Sequence, residues 1–290
     1  MILFRTFTIL MITLFVWCRS TQNDHPSLRE KIIYQPADKK IAEEVLELFS
    51  SNRNLPASEL MVKVGGFFKG TPYVAHTLDV SDTERLVINL RGMDCTTFVE
   101  YCLAFTKTIR SGTLTFGKFT DELQSIRYRD GIIHGYPSRL HYFSDWIYNN
   151  GAKKIVRDVS EETGGTRYFK TISFMSTHPE SYRQLADSSG LVKTIVEQEK
   201  NISSRTMFYI PEDKITAIEN HLKDGDIVGI TTNVAGLDIS HTGILVRKKG
   251  RIYLLHASTT AGKVVVSDKT LVDYLKGNKS TTGIMVARPL

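Results

Sequence analysis

Cysteine is scarce in this chain, with three residues in 290. That excludes a disulfide-stapled scaffold and leaves few places for thiol chemistry. No internal repeat or low-complexity tract interrupts the sequence. Past residue 20 no apolar run approaches the ~20 residues that a membrane-spanning helix needs, so no span is expected. Charge of one sign is not in strong excess: 37 Lys and Arg stand against 31 Asp and Glu, a net +6. This is not the dense basic stripe of a nucleic-acid binder, and no nucleic-acid partner is expected. HExxH, CxxC, GxSxG and the dinucleotide-binding fingerprint are all missing, which removes the chemistries those spacings carry. VGGFFKGT (64–71) has the outline of a phosphate loop, but Thr71 stands where its lysine belongs.

What is present is ordinary for a globular protein, with 41% hydrophobic and 23% charged residues. The first 20 residues are a separate object. Arg5 precedes an apolar run from Thr6 to Trp17, and small residues follow at Cys18 and Ser20. This predicts a secretory signal peptide, cleaved after Ser20, that delivers the protein across the inner membrane to the periplasm. Cys18 opens an alternative, a lipid-modified N-terminal cysteine, although bulky Trp17 stands where a small residue is usual. Processing removes Arg5 and Arg19 and no acid, lowering the net charge from +6 to +4. Residues 21–290 then read as one monomeric domain.

In that domain Cys95 and Cys102 lie on one predicted helix, DCTTFVEYCLAFTKTIR. Seven helical residues rise about 10.5 Å, and a disulfide needs Cα atoms within about 7 Å. The two therefore cannot pair. Cys102, two turns in among Phe98, Leu103 and Phe105, suits a buried filler. Cys95 follows Asp94, a good N-cap, so it sits in the first turn, where the helix dipole favours a thiolate. That position marks it as a candidate nucleophile.

Periodicity and caps predict helices at 38–51, 57–69, 116–127, 141–149, 211–222 and 268–276, two more within 178–203, and a short strand at 86–90. From residue 226 five β-rich runs follow: DIVGIT, HTGILVRK, RIYLLHAS, GKVVVS and TGIMVARP. Helices first and a β-meander last indicate an α+β fold. If Lys249–Gly250 is a two-residue turn, Lys248 pairs with Arg251. His241 and His256 then share one face as diagonal neighbours about 5–8 Å apart. A three-residue loop would reverse that parity. A cysteine hydrolase needs a base near its thiol and a group to orient the base. The two histidines are candidates for both. A zinc site from the same three residues matches no familiar spacing, and no metal or cofactor is expected.

At this point the sequence resembles the NlpC-like cell-wall cysteine hydrolases, a papain-like superfamily. GTPYVAH (70–76), MDCTTFVEY (93–101), LKDGDIVGI (222–230), ISHTGILV (239–246) and YLLHAST (253–259) are similar to its motifs, in its order. Thr96-Thr97 after the cysteine and the block RYRDGIIHGYPSRLHYFSDWI (127–147) resemble the N-acetylmuramoyl-L-alanine amidase-like branch. The resemblance implies a papain-like core, with N-terminal helices carrying the cysteine against an antiparallel β-meander or barrel. It implies Cys95 as nucleophile, His241 as base and His256 as its orienting group, with Tyr73 and Asp94 lining the site. The implied reaction is cleavage of the amide between N-acetylmuramic acid and L-alanine, with a preference for anhydro-muropeptides; peptidoglycan fragments would be the partners.

Residues 111–220 separate nucleophile from base and read as a helical, substrate-shaping insertion. Within it Arg127, Arg129 and Arg139 can clamp stem-peptide carboxylates, and Tyr136, Tyr142 and Trp146 can pack on sugar faces. Each has an architectural alternative: Phe143 and Trp146 stand i, i+3 on a helix, and Arg139 and Asp145 can pair with each other. Two other functions compete, an endopeptidase of the same superfamily that cuts between D-Glu and the diamino acid, and a non-catalytic wall-binding protein.

Overall fold

The computed structural model describes residues 32–290, so the signal peptide and Cys18 lie outside the described residues. In chain order the elements are β1 (Ile32–Ile33), α1 (Pro36–Leu48), α2 (Ala57–Phe67), β2 (Leu86–Val87), α3 (Cys95–Ser111), α4 (Phe116–Arg127) and α5 (Phe143–Ala152). Then come β3 (Val156–Asp158), β4 (Thr166–Arg167), α6 (Phe174–Thr177), α7 (Ser189–Ser203), β5 (Phe208–Pro211) and α8 (Ile215–Ile218). The chain closes with β6 (Ile227–Thr232), β7 (Ile239–Lys248), β8 (Arg251–Ser258), β9 (Lys263–Thr270), α9 (Leu271–Lys276) and β10 (Thr281–Pro289).

α3 is the central helix, and Thr97 through Thr106 are all buried. Its start is set by a reciprocal cap. The Asp94 carboxylate accepts from the Thr97 N–H at 2.8 Å, and the Thr97 hydroxyl accepts from the Asp94 N–H at 3.0 Å. Gly112 ends it in the left-handed conformation, φ +77°. Between these ends Phe98, Cys102 and Phe105 are fully buried, each aromatic side chain worth about 1.5–3 kcal/mol when removed from water. Cys102 is thus the expected filler, and both thiols are free. α3 packs on β7 and β8 on one side and on α2 and α4 on others.

The C-terminal β-runs form the expected meander. Lys249 and Gly250 both have positive φ, +48° and +79°, the signature of a two-residue turn. Lys248 pairs with Arg251 and Ile244 with Leu255. The sheet order is β4-β5-β10-β6-β7-β8-β9, with β3 also beside β10. This is an open antiparallel sheet; among the described residues it does not close into a barrel. The reason lies in β10, whose outer edge is shared between β5 near Gly283 and β3 near Ala287, so the sheet splits there. The stretch 111–220 is therefore not purely helical, since β3, β4 and β5 extend the sheet.

Three other segments differ from expectation. The 86–90 run is a strand only at Leu86–Val87, paired with β1. Its continuation is taken by side chains: Tyr101 accepts from the Asn89 N–H and buried Asp38 from the Leu90 N–H. Within 178–203 only α7 is a long helix, and the short α6 lies ahead of it. Residues 211–222 break into α8 and two flanking 3-10 turns. There Pro211 ends β5 rather than starting a helix, and the Glu219 carboxylate is captured by the Ile252 N–H at 2.6 Å and by Arg251. Gly225, φ +79°, makes the turn into β6; a Cβ there would meet the Ser58 carbonyl oxygen at 2.0 Å.

Candidate active site

Cys95 is the first residue of α3 and is partly buried. It lies where first-turn N–H groups have no intrahelical partner. The segment before it is clipped on both sides. Tyr73 donates its N–H to Gly262, Val74 to Met93 and Met93 to Pro72, which fixes Tyr73 beside the nucleophile turn. β7 and β8 bring in the histidines. His241 Nε2 lies 2.6 Å from His256 Nδ1, with the rings edge-on at 4.9 Å. The two-residue turn thus places them on one face as diagonal neighbours, with their ring nitrogens within hydrogen-bond distance. Cys95, His241, His256 and Tyr73 line one open cavity of about 820 Å³ that runs past Ser258, Thr259 and Thr260 to Tyr274. A smaller recess of about 130 Å³ also reaches Cys95 and His241.

The histidine pair and the thiol are held uncharged. Burial, then the neighbouring His256, pushes His241 down to about 3. Burial alone pushes His256 down to about 4. Both are uncharged at neutral pH, so one ring donates the shared hydrogen bond and the other accepts it. The Cys95 thiol is pushed up, first by burial and then by the Asp94 carboxylate. The Thr242 N–H and hydroxyl and the Thr96 hydroxyl oppose that rise. Burial and Asp94 thus work against the thiolate that a helix start favours. Tyr73 is raised to about 12 by burial and by its Cys95 and Asp94 neighbours. Among the described residues, no three His, Cys, Asp or Glu side chains converge as a metal ion requires.

The other expected site residues fall into three groups. Tyr73 lines the large cavity and Tyr142 the small recess. Asp94 caps α3. Arg127, Trp146 and Tyr136 do not face a groove. Arg127 is 1% exposed and donates to Glu100 at 2.6 Å and to the Val87 carbonyl at 2.6 Å. Trp146 is 0% exposed and stacks on Phe143 at 4.8 Å. Tyr136 is buried under the Arg139 guanidinium, 4.9 Å from its ring centroid. Arg129 pairs with Asp145, which also takes Arg205. Arg139 pairs with Asp79 and Glu84 rather than with Asp145. These arginines serve as struts, because a buried guanidinium is stable only beside its counter-charges.

Sequence reasoning missed four residues around Cys95 and the histidine pair. Thr96 and Thr242 line the small recess with Cys95 and act to lower its thiol pKa. Tyr274, on α9, sets its ring edge-on to His256 at 5.4 Å. His141 lines the small recess. Thr96 and Thr242 adjoin Cys95 and His241 in sequence and could have been found there; nothing local marks Tyr274 or His141.

Comparison with known proteins bears on this site. The AmiA-like family model, described as N-acetylmuramoyl-L-alanine amidase-like, matches residues 63–284. A solved structure described as an N-acetylmuramoyl-L-alanine amidase from Bacteroides uniformis is 43% identical; the match covers 81% of this chain and 99% of that one, with a TM-score of 0.77. One described as a putative xylanase from Bacteroides fragilis is 46% identical over 77% of this chain and 98% of its own, at 0.73. A Legionella pneumophila protein, 19% identical over 87% of this chain and 95% of its own, shares the fold at 0.66. No curated protein sequence matches. The family match spans Tyr73, Cys95, His241 and His256, and the chain belongs to the N-acetylmuramoyl-L-alanine amidase-like family of hydrolases.

Proposed function

We propose that the protein hydrolyses the amide between N-acetylmuramic acid and L-alanine in muropeptides, anhydro-muropeptides among them, with Cys95, His241 and His256 as its catalytic residues. The observation that carries the reading is the 2.6 Å His241–His256 contact in the cavity that Cys95 lines. The arrangement supports kinship with the papain-like, NlpC-like hydrolases. Export through residues 1–20, the Cys18 lipid as its alternative, and a monomeric state belong to the same reading.

The resting state is a neutral thiol beside a neutral imidazole, so the proton moves as the bond forms. His241 Nε2–H donates to His256 Nδ1, which leaves His241 Nδ1 as the base. Cys95 Sγ attacks the lactyl carbonyl carbon while His241 takes the thiol proton. The oxyanion is met by the Cys95 N–H at the helix start. The C–N bond then breaks, and His241 returns the proton to the departing alanine amine. Water attacks the thioester, giving one proton to His241; the muramic carboxylic acid leaves, and the sulfur recovers its proton from His241. Thr242 and Thr96 stabilise the sulfur whenever it carries charge. Arg129 and Arg139 act through the segments they tie down.

Mass spectrometry of muropeptide digests tests the reading. Wild-type protein should release free L-Ala peptides from the sugar, and Cys95→Ala should release none above background, a loss of more than about 10⁴-fold. Products cut inside the stem peptide would replace the amidase reading with the endopeptidase one. Undiminished release by Cys95→Ala would end the thiol mechanism.

A further inference from the structure

The smaller recess beside Cys95 has a volume of about 130 Å³. At roughly 30 Å³ per water it has room for about four waters' worth of substrate. Tyr142, Met175, Tyr182 and Leu237 wall it, and His141 is part of the lining. His141 Nε2 lies 2.9 Å from the Tyr136 carbonyl oxygen. A carbonyl only accepts, so Nε2 carries the ring proton and Nδ1 holds a lone pair. Nδ1 has no hydrogen-bond partner among the described residues. Burial, then the Arg139 guanidinium and to a smaller extent Arg129, push this histidine down to about 3. The ring therefore stays neutral, and Nδ1 remains an acceptor. Its direction is also fixed: the Tyr136 ring packs on His141 at 4.3 Å, with Arg139 over that tyrosine. A fixed acceptor lining a recess suits a donor from the ligand.

Resting on the amidase reading, we propose that this recess takes the alanyl residue of the substrate. His141 is then a specificity-determining residue, its Nδ1 accepting a hydrogen bond from the peptide N–H that follows the alanine. The two sides of the scissile amide are unequal. The sugar ring and its hydroxyls need the 820 Å³ cavity, where the Ser258, Thr259 and Thr260 hydroxyls line the wall. A methyl-bearing residue matches the smaller space, and larger side chains meet Tyr142, Tyr182 and Leu237. The next group along the peptide is an N–H, which can only donate.

The test uses two substrates: N-acetylmuramoyl-L-alanyl-D-glutamate and its analogue with an ester oxygen in place of the alanine–glutamate N–H. The scissile amide is the same in both. Wild-type protein should prefer the amide form by about 10–100-fold in kcat/KM. His141→Phe, which lacks the acceptor, should reduce that preference to about threefold or less, and His141→Asn, whose Oδ1 replaces Nδ1, should restore most of it. Because the readout is a ratio of two kcat/KM values for one sample, it does not depend on the fraction of folded enzyme. Equal rates for wild type on both substrates, or an unchanged ratio in His141→Phe, would overturn the proposal and leave the amidase reading standing. If wild type cuts neither substrate at the lactyl–alanine amide, the amidase reading fails and the proposal falls with it.

Discussion

The histidine pair on the β7–β8 hairpin and the arginine cluster of residues 127–139 bury titratable groups in opposite ways. Among the described residues the side chains of His241 and His256 hydrogen-bond only to each other, and burial holds both uncharged, at about 3 and about 4. Arg127 and Arg139 keep their charge because Glu100, Asp79 and Glu84 meet them. In the proposed mechanism the first arrangement leaves a base ready to accept a proton from a neighbouring thiol. The second satisfies its charges and leaves little to offer a ligand. Burial of a charged residue type therefore does not mark a site; a buried group able to change its protonation beside a nucleophile does.

The largest expected effect is on the histidine side. His241→Ala should lower turnover of muropeptide by about 10²–10⁴-fold, the usual worth of a general base, with the urea midpoint near that of wild type. Loss of folding instead of turnover would move His241 into the structural class. On the arginine side, Arg127→Ala leaves Glu100 buried without its partner and should cost about 3–5 kcal/mol in denaturant unfolding. Replacing both residues with apolar side chains of similar size should regain most of that stability. If Arg127→Ala stays stable but loses muropeptide affinity, the cluster belongs to the substrate groove after all.

Per histidine and per pH unit, the smallest effect is the acid response. His141, His241 and His256 are held at about 3, 3 and 4, below the usual value of about 6.5. The unfolded chain binds protons that the fold refuses. This contribution to stability is complete above pH ~6.5 and is lost as pH falls toward 3–4. Each histidine removes at most about 1.4 kcal/mol per pH unit in that window. The arginines do not titrate and add nothing to the slope. Denaturation at pH 7, 5.5 and 4.5 should show a falling midpoint, and a flat midpoint would mean that these histidines charge within the fold.

Much of the site was readable along the chain because its determinants are local. The Asp94 cap needs only Thr97, three residues on. The pairing of His241 with His256 needs only a two-residue turn, which Lys249 and Gly250 specify through their left-handed backbone. The motif order from Tyr73 to His256 carried the family. The arginines and Trp146 were not readable in this way. A guanidinium suited to a carboxylate is equally suited to Glu100 or Asp79, and those partners lie 27 and 60 residues away from Arg127 and Arg139. Closure of the sheet likewise depended on how β3 and β5 share the edge of β10. The charge state of Cys95 depended on how much water the packed site excludes. Caps, turns and strand parity act within a few residues, so composition and spacing reveal them; desolvation and ion pairing arise only when distant segments meet.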